Sequence, residues 1–340
     1  MTERNTANVE LNHDQLLELV QKAMPSCHRI NDWRLLTGGA QNTLYKLTIG
    51  SESFVLRLYT RDRSHCSTEQ ALFKLIGSVV PVPELIYADE THEPWAYALF
   101  RFVPGVHIDK VAPESGKQLS HTVGKTHALI HSFKFSQAGI FASCSTLPPL
   151  TGRPSSLRPT VATADRSTGS GGAVTFAIPF PVGSSPYFEE AHRVLSQPGH
   201  ARQRLGEQRA DEILAFMEQN KDFFPIITND NICLVHADFK PVNLLYTPQE
   251  TVCVLDWEFA HAGVGIMDFA ILLRHRDQFP LDLDALKNGY ETNGGILPNE
   301  WFKSALITDF VNIMHLLNSP TERPKLFAQL EKAIATTMDQ

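Results

Sequence analysis

The residues best suited to chemistry lie in the segment 234–245, between two apolar runs. The polar residues of that segment are His236, Asp238, Lys240 and Asn243. A second segment, 252–259, carries Asp256 at the end of a β-rich run. Two carboxylates, an amide and an ammonium presented in this way can hold a divalent cation and a phosphate together.

Phosphoryl transfer needs a carboxylate facing the attacking hydroxyl, oxygen ligands for Mg²⁺ and a cation near the phosphates. Asp238 would accept or orient the proton of that hydroxyl. Asn243 and Asp256 would be oxygen ligands to Mg²⁺. Lys240 can reach the transferred phosphate as a point charge. An Asx-type turn would explain Asp238 or Asn243 alone, whereas the four residues together favour chemistry.

The elements ahead of these residues predict a small β-rich lobe. Alternating runs at 44–49 and 54–59, with a Gly-Ser-Glu-Ser turn at 50–53, predict an antiparallel hairpin. Gly38 and Gly39 precede it, and a glycine turn lets the backbone come close to phosphates.

A further strand at 97–103 ends at Pro104-Gly105, where we place the lobe boundary. The sequence thus predicts an N-terminal nucleotide-binding lobe over 1–104 and a C-terminal catalytic and acceptor-binding lobe over 105–340. A cleft between lobes is the natural ligand site.

Apolar spacing and capping residues predict the helices. They are expected at 14–24 with Asp14 as N-cap, 69–76 opened by Glu69, 115–133, 186–195, 201–219, 267–275, 282–290, 299–317 and 322–335. Residues 151–172 are polar and rich in Pro, Ser, Thr and Gly, which predicts a long flexible loop. A strand at 173–181 could pair with one at 140–144.

The central segment resembles a known catalytic loop. His236-Ala-Asp-Phe-Lys-Pro-Val-Asn243 is similar to the His-Arg-Asp-Leu-Lys-Pro-x-Asn pattern of the protein-kinase-like superfamily. Leu255-Asp-Trp-Glu-Phe-Ala260 resembles the metal-binding segment of its aminoglycoside phosphotransferase and choline kinase branch. Ala237 departs from the usual glycine of that branch, and Lys240 from its frequent histidine. The resemblance implies an α+β, bilobal protein-kinase-like fold, with a small β-rich N-lobe and a larger, mostly helical C-lobe.

The resemblance also implies roles for residues upstream. Thr37-Gly-Gly-Ala-Gln-Asn-Thr-Leu-Tyr45 resembles the branch's phosphate loop. The nucleotide-binding residues that it implies are Gly38, Gly39, Asn42 and Thr43. Arg57 stands where kinases place the strand lysine and would contact the inner phosphates, with Glu69 as its ion-pair partner. The linker after the last strand would bind adenine through the backbone around Arg101 and Val103.

By the same resemblance, Asp268 supports the catalytic loop rather than reacting. His131 is expected to be structural as well, and so is His236, as a histidine that braces the loop. Cys233 and Cys253, which flank the loop on the expected strands, are expected to be inert buried thiols.

The reaction we expect is transfer of the γ-phosphoryl group of ATP, with Mg²⁺, to a hydroxyl of a small molecule. An aminoglycoside or another amino-bearing acceptor would suit the acidic side chains near the C-terminus. These are Glu258, Asp277, Asp282, Asp284 and Glu291, and an ordinary solvated face explains them equally well. A homoserine, choline, methylthioribose or macrolide kinase and an inactive nucleotide-binding scaffold are the alternatives. The sequence does not show whether ATP or GTP is the preferred nucleotide, nor does it show the oligomeric state.

Composition and net charge argue against several classes of protein. The 340 residues are 43% hydrophobic and 20% charged, with a net charge of -7. Such a charge argues against non-specific nucleic-acid binding and against a polybasic membrane anchor. The N-terminus has no apolar signal region. The five cysteines are scattered and lack CxxC spacing, which favours reduced thiols in a cytoplasmic protein.

Overall fold

The computed structural model describes residues 7–36, 42–141, 150–152 and 176–340. They form two compact units. The first contains the chain up to Val106 together with Leu245–Glu258, and the second begins at His107 and includes Phe259–Gln340. Gly38, Gly39 and residues 153–172 of the loop expected at 151–172 lie outside the described residues, while its first two residues belong to a short strand.

The first unit is built on an antiparallel sheet of order β1-β2-β3-β5-β4. Its strands are β1 (Asp32–Leu36), β2 (Thr43–Ile49), β3 (Glu52–Tyr59), β4 (Leu85–Asp89) and β5 (Ala96–Arg101). The predicted hairpin is confirmed, because Ile49 pairs with Glu52 across a tight turn in which Gly50 has a φ of 62°. Glycine adopts this left-handed conformation without strain.

Two helices accompany this sheet, and both begin earlier than predicted. Helix α1 (His13–Ala23) starts after Asn12, not Asp14. Asn12 Oδ1 accepts from the Gln15 amide at 3.0 Å while Gln15 Oε1 accepts from the Asn12 amide at 2.9 Å. This reciprocal capping box satisfies two otherwise unpaired donors, which Asp14 could not do from inside the helix.

Helix α2 (Ser64–Ile76) begins at Ser64, well before Glu69, and has no side-chain cap on its first turn. The Asp62 carboxylate instead accepts from both the amide and the hydroxyl of Ser64, at 2.9 and 2.7 Å. Glu69 therefore lies within the helix, one turn past its start, rather than at its opening. Its side chain is buried at this depth.

Nine further strands are described, numbered in chain order. They are β6 (Val106–His107), β7 (Lys134–Phe135), β8 (Ala138–Phe141), β9 (Leu150–Gly152), β10 (Phe176–Phe180), β11 (Ile232–Val235), β12 (Leu244–Tyr246), β13 (Val252–Val254) and β14 (His261–Val264). One sheet has the order β10-β8-β14-β11-β7-β9, and a smaller one the order β13-β12-β6. The predicted pairing of the strand near 173–181 is confirmed, since Ile178 lies opposite Ile140.

The second unit contains the other helices. They are α3 (Gly116–His131), α4 (Pro186–Ser196), α5 (His200–Leu205), α6 (Glu207–Gln219), α7 (Ile266–Arg274), α8 (Leu283–Glu291), α9 (Trp301–Thr308), α10 (Phe310–Leu317) and α11 (Pro324–Met338). The single helix predicted at 201–219 is interrupted at Gly206, whose φ is 79°. That predicted at 299–317 is divided at Asp309, a buried carboxylate that lies 3.2 Å from Arg274. None of the helices among the described residues is both long and apolar enough to cross a lipid bilayer.

Helices α3 and α8 approach unusually closely through two glycines. A Cβ on Gly124 would lie 2.0 Å from the Leu286 carbonyl oxygen, and one on Gly289 would lie 2.0 Å from that of His121. No larger residue fits either position without moving backbone. This contact brings Tyr290 of α8 against His131 of α3, with 3.0 Å between the Tyr290 hydroxyl and His131 Nδ1.

Candidate active site

The catalytic-loop residues predicted from the sequence converge in the second unit. The loop follows β11 and closes with a single 3₁₀ turn over Pro241–Asn243. The Asn243 amide nitrogen donates to Asp238 Oδ2 at 2.8 Å and to the Asp238 carbonyl at 2.9 Å. Lys240 Nζ lies 2.8 Å from the same Oδ2. The Asp238 carboxylate is thus fixed by an amide and an ammonium, as its proposed role in handling a hydroxyl proton requires.

Asp268 supports this loop from the first turn of α7. Its two carboxylate oxygens accept from consecutive amides, His236 at 2.9 Å and Ala237 at 2.8 Å. Ala237 has a φ of 62°, a left-handed conformation that costs a non-glycine residue about 1–2 kcal/mol. Two neighbouring N–H groups converging on one buried carboxylate offset that cost. The geometry is that of a support for the loop, in line with the resemblance.

Asp268 is itself held by a buried chain of side chains. His131 Nε2 lies 3.1 Å from Asp268 Oδ2, and the other ring nitrogen meets the Tyr290 hydroxyl. Burial alone would raise the pKa of Asp268, but the hydrogen bond and charge of His131 and the neighbouring histidine rings lower it to about 2. His236 braces the loop as expected, because its Nδ1 accepts from the Asp238 amide at 3.2 Å.

The first unit contains a second cluster, centred on Arg57 of β3. The guanidinium lies 3.1 Å from Glu69 and 2.7 Å from Asp256. Glu69 also accepts from the Tyr59 hydroxyl at 2.5 Å and from the Trp257 amide at 2.9 Å. Burial would lower the pKa of Arg57, but Glu69, Asp256 and the other nearby acids outweigh it and raise the pKa well above its ordinary value. Arg57 is therefore a permanent buried cation.

Glu258 is the functional residue that the sequence analysis missed. We expected it among the acidic side chains facing an acceptor, but it is buried in the first unit. Its Oε2 lies 3.2 Å from an Arg57 nitrogen and accepts from the Asn42 side-chain amide at 3.0 Å. The only signal in the sequence was its place two positions after Asp256.

The other predicted nucleotide-binding residues have local partners. Thr43 Oγ1 accepts from the Val9 amide at 3.1 Å. The Arg101 side chain is half-exposed and pairs with Glu52 and Glu84, while its amide donates to the Glu84 carbonyl at 2.8 Å. The Arg101 amide is thus engaged within the protein. Binding of nucleotide by Thr43, Arg101 and the half-buried Val103 stays a prediction.

Two of the remaining acidic side chains, Asp282 and Glu291, also have local partners. Asp282 caps α8 by accepting from the Ala285 amide at 2.8 Å. Glu291 lies 3.9 Å from Lys287 on an exposed helix face. An ordinary solvated face therefore accounts for both without an acceptor.

The two cysteines beside the catalytic segments are inert, as predicted. Cys233 and Cys253 are buried free thiols. Burial raises the pKa of each to about 12, so neither is a thiolate near neutral pH.

Within the described part of the chain, no three His, Cys, Asp or Glu side chains form a ready-made metal centre. Mg²⁺ in phosphoryl-transfer sites takes one or two protein oxygens and completes its shell with phosphates and water. Asn243 and Asp256 each carry side-chain oxygens of this kind, and the Asn243 amide nitrogen donates to Asp238. Binding of Mg²⁺ by these two residues stays a prediction.

Solved structures of similar fold are aminoglycoside phosphotransferases. The aminoglycoside phosphotransferase APH(4)-Ia has a TM-score of 0.65 at 14% identity, over 95% of this chain and 96% of that chain. The spectinomycin phosphotransferase APH(9)-Ia, solved with ADP and spectinomycin, has a TM-score of 0.59 at 13% identity, over 96% and 98%. ADP-bound APH(2'')-Ib has a TM-score of 0.57 at 15% identity, over 97% and 99%. The expected α+β, protein-kinase-like fold is confirmed.

A sequence search of curated proteins finds no match to this chain. The family model described as the phosphotransferase enzyme family, in contrast, matches residues 32–301. That range contains both the Arg57 cluster and the Asp238 loop. The chain belongs to the phosphotransferase enzyme family.

Proposed function

We propose that this phosphotransferase moves the γ-phosphoryl group of ATP to a hydroxyl of an aminoglycoside-type or other amino-bearing small molecule. The observation that carries the proposal is the geometry of Asp238. Its carboxylate is held by the Asn243 amide and contacted by the Lys240 ammonium, both at 2.8 Å. A carboxylate fixed beside a cation suits a reaction in which a proton leaves a hydroxyl while a phosphoryl group arrives.

In this mechanism Asp238 accepts or orients the proton of the acceptor hydroxyl, and that oxygen attacks the γ-phosphorus while the bond from phosphorus to the bridging oxygen breaks and ADP leaves. Lys240 turns from Asp238 toward the transferred phosphoryl group and neutralises charge on its oxygens. The catalytic residues are therefore Asp238 and Lys240. Asp268 acts through the loop backbone and is a positioning residue.

The nucleotide would be bound by the first unit. Arg57 would contact the inner phosphates, held in position by Glu69 on helix α2. Asn42 would join it from the position just before strand β2. Structures solved with ADP or an ATP analogue are among those of similar fold, which supports ATP as co-substrate.

Mg²⁺ would be held by Asn243 and Asp256. When bound, it shields the charge of the phosphate oxygens. Asp256 has a φ of 64°, a left-handed conformation that asparagine and aspartate tolerate better than other non-glycine residues. The conformation turns its carboxylate toward Arg57, which lies 2.7 Å away.

The acceptor class is supported by the solved structures of similar fold, whose bound ligands include hygromycin B and spectinomycin. A panel of acceptors tests it. Purified protein with Mg²⁺ and ATP is offered aminoglycosides, spectinomycin, choline, homoserine, methylthioribose and a macrolide, and ADP release is measured for each. Turnover with an aminoglycoside or with spectinomycin supports the proposal. Turnover with another member assigns that acceptor instead, and absence of ATP binding by calorimetry contradicts the enzyme.

A further inference from the structure

Helix α2 contacts the metal-binding segment at two points, not one. Glu69 accepts from the Trp257 amide at 2.9 Å. His65 lies one helical turn earlier on the same face, and its Nδ1 is 3.3 Å from Glu258 Oε2. The helix therefore contacts two consecutive residues, Trp257 and Glu258, through two different side chains.

Glu258 Oε2 is shared among three elements of the first unit. It accepts from Asn42 at the start of β2 at 3.0 Å and from Arg57 on β3 at 3.2 Å. The third contact is His65 on α2. The Glu258 side chain is only 3% exposed, so these donors replace the water that would otherwise solvate it.

A buried carboxylate with three donors has one favourable orientation, and each donor helps to set it. Removing the His65 contact leaves Glu258 with Asn42 and Arg57 alone. The carboxylate then turns toward the stronger partner, the guanidinium, and its hold on the Asn42 amide weakens. Both partners are residues that the proposed function assigns to the nucleotide.

We infer that His65 is a positioning residue for nucleotide binding, acting through Glu258 to hold Asn42 and Arg57 in their binding arrangement. The inference rests on the proposed function, because it presumes that these two residues meet the nucleotide. Neither the loop motif nor the strand arginine pointed to His65. Preorganised groups bind more tightly because less order is lost on binding, so the effect falls on ATP affinity.

The test compares His65→Leu, which removes the donor, with His65→Asn, whose amide nitrogen stands near the position of Nδ1. Affinity for Mg–ATP is measured by calorimetry on the full chain without acceptor. Loss of one hydrogen bond to a charged group predicts roughly tenfold weaker binding for His65→Leu. His65→Asn is expected to restore most of it, and His28→Leu, at an exposed histidine, to leave it unchanged.

A double-mutant cycle with Glu258→Gln tests whether His65 affects ATP binding through Glu258. If His65 acts through Glu258, His65→Leu costs no further ATP affinity in the Glu258→Gln background. Additive losses would overturn the inference, and so would equal weakening by His65→Leu and His65→Asn. Steady-state kinetics adds a second readout, in which the KM for ATP rises and that for the acceptor does not.

The two proposals fail differently. Wild-type protein that binds no Mg–ATP contradicts the proposed function and this inference with it. Wild-type protein that binds Mg–ATP, with His65→Leu binding equally well, contradicts the inference alone. Urea unfolding of each variant identifies a purely structural effect, which would lower stability without the recovery by asparagine.

Discussion

Arg57 and Asp256 are 199 residues apart in the chain, and the Arg57 guanidinium lies 2.7 Å from the Asp256 carboxylate. The same guanidinium also meets Glu69 and Glu258, so one buried cation offsets three carboxylates from two segments of the chain. The cluster proposed to bind nucleotide is therefore also a source of stability for the first unit. Its integrity depends on a single residue.

Replacing Arg57 by methionine should lower the free energy of unfolding by about 3–5 kcal/mol, because it leaves buried carboxylates without their counter-charge. Arg57→Lys should recover part of this loss, since one ammonium cannot reach all three partners. Urea unfolding measures both. Arg63, whose side chain is 44% exposed and pairs with Glu93, is the matched control, and Arg63→Met should change stability by less than about 0.5 kcal/mol. Equal losses for the two methionine variants would contradict the role of the cluster.

Asp238→Asn should lower kcat by roughly 10²–10⁴-fold, because the amide cannot accept the hydroxyl proton. ATP affinity should persist, since Asp238 is assigned to the acceptor. Asp256→Asn should instead weaken Mg–ATP binding. Kinetics and calorimetry on both variants separate the roles, with exposed Asp284→Asn as the control. Equal loss of ATP affinity in the first two variants would show that the roles are wrongly assigned.

The catalytic loop was predictable because its contacts are local. Asp238, Lys240 and Asn243 lie within one short turn, and their spacing already implied that the side chains meet. The hairpin at Gly50 was predictable for the same reason. Short-range hydrogen bonds and turn preferences leave a direct trace in sequence.

The contacts that sequence analysis missed are long-range or depend on competing local partners. The burial of Glu258 depends on how strand β3 and helix α2 pack around it, which no spacing records. The approach of Gly124 to Leu286 likewise exists only once α3 and α8 meet. Asp14 and Asn12 are both good caps by type, and only the reciprocal bond with Gln15 decides between them.

Ala237→Gly should stabilise the protein by up to about 1 kcal/mol, because glycine adopts the left-handed conformation without strain. The gain is reduced by the greater freedom of glycine in the unfolded chain. Ala237→Val should destabilise, since a β-branched residue is disfavoured there. Ala128→Gly, in the middle of helix α3, is the control and should lose about 1 kcal/mol. If urea unfolding shows Ala237→Val to be more stable than Ala237→Gly, the backbone at position 237 is not strained.

His275→Gln should make the protein less sensitive to mild acid. Burial, and then the charges of Arg274 and Lys240, lower the pKa of His275 to about 3. The unfolded chain takes up this proton near the ordinary value of 6.5, whereas the folded protein does not. Stability from this group is therefore complete above that value and is lost as the pH falls toward 3.

Near pH 5.5 the wild type should have lost about 1 kcal/mol through His275 that the variant retains. Urea unfolding at neutral and mildly acidic pH measures the difference. His28→Gln, at an exposed site, should behave like the wild type. If His275→Gln and His28→Gln show the same pH dependence, the fold does not lower the pKa of His275.

Gly289→Ala tests the helix contact behind the catalytic loop. By helix propensity alone the change should stabilise α8 by about 1 kcal/mol. The added Cβ, however, would lie 2.0 Å from the His121 carbonyl oxygen, so α3 and α8 must separate. We expect a net loss of about 1–3 kcal/mol, typical of overpacking.

The separation should also break the bond between Tyr290 and His131, and with it the support that reaches Asp238 through Asp268. Tyr290→Phe removes only the hydroxyl and should cost about 1 kcal/mol, less than Gly289→Ala. Asn288→Ala, at an exposed position on the same helix, raises helix propensity without a clash and should be neutral or stabilising. Urea unfolding ranks the stability of the three variants. Measurement of kcat for each variant reports whether the catalytic loop keeps its position. A Gly289→Ala variant as stable and active as Asn288→Ala would show that the two helices do not need their close approach.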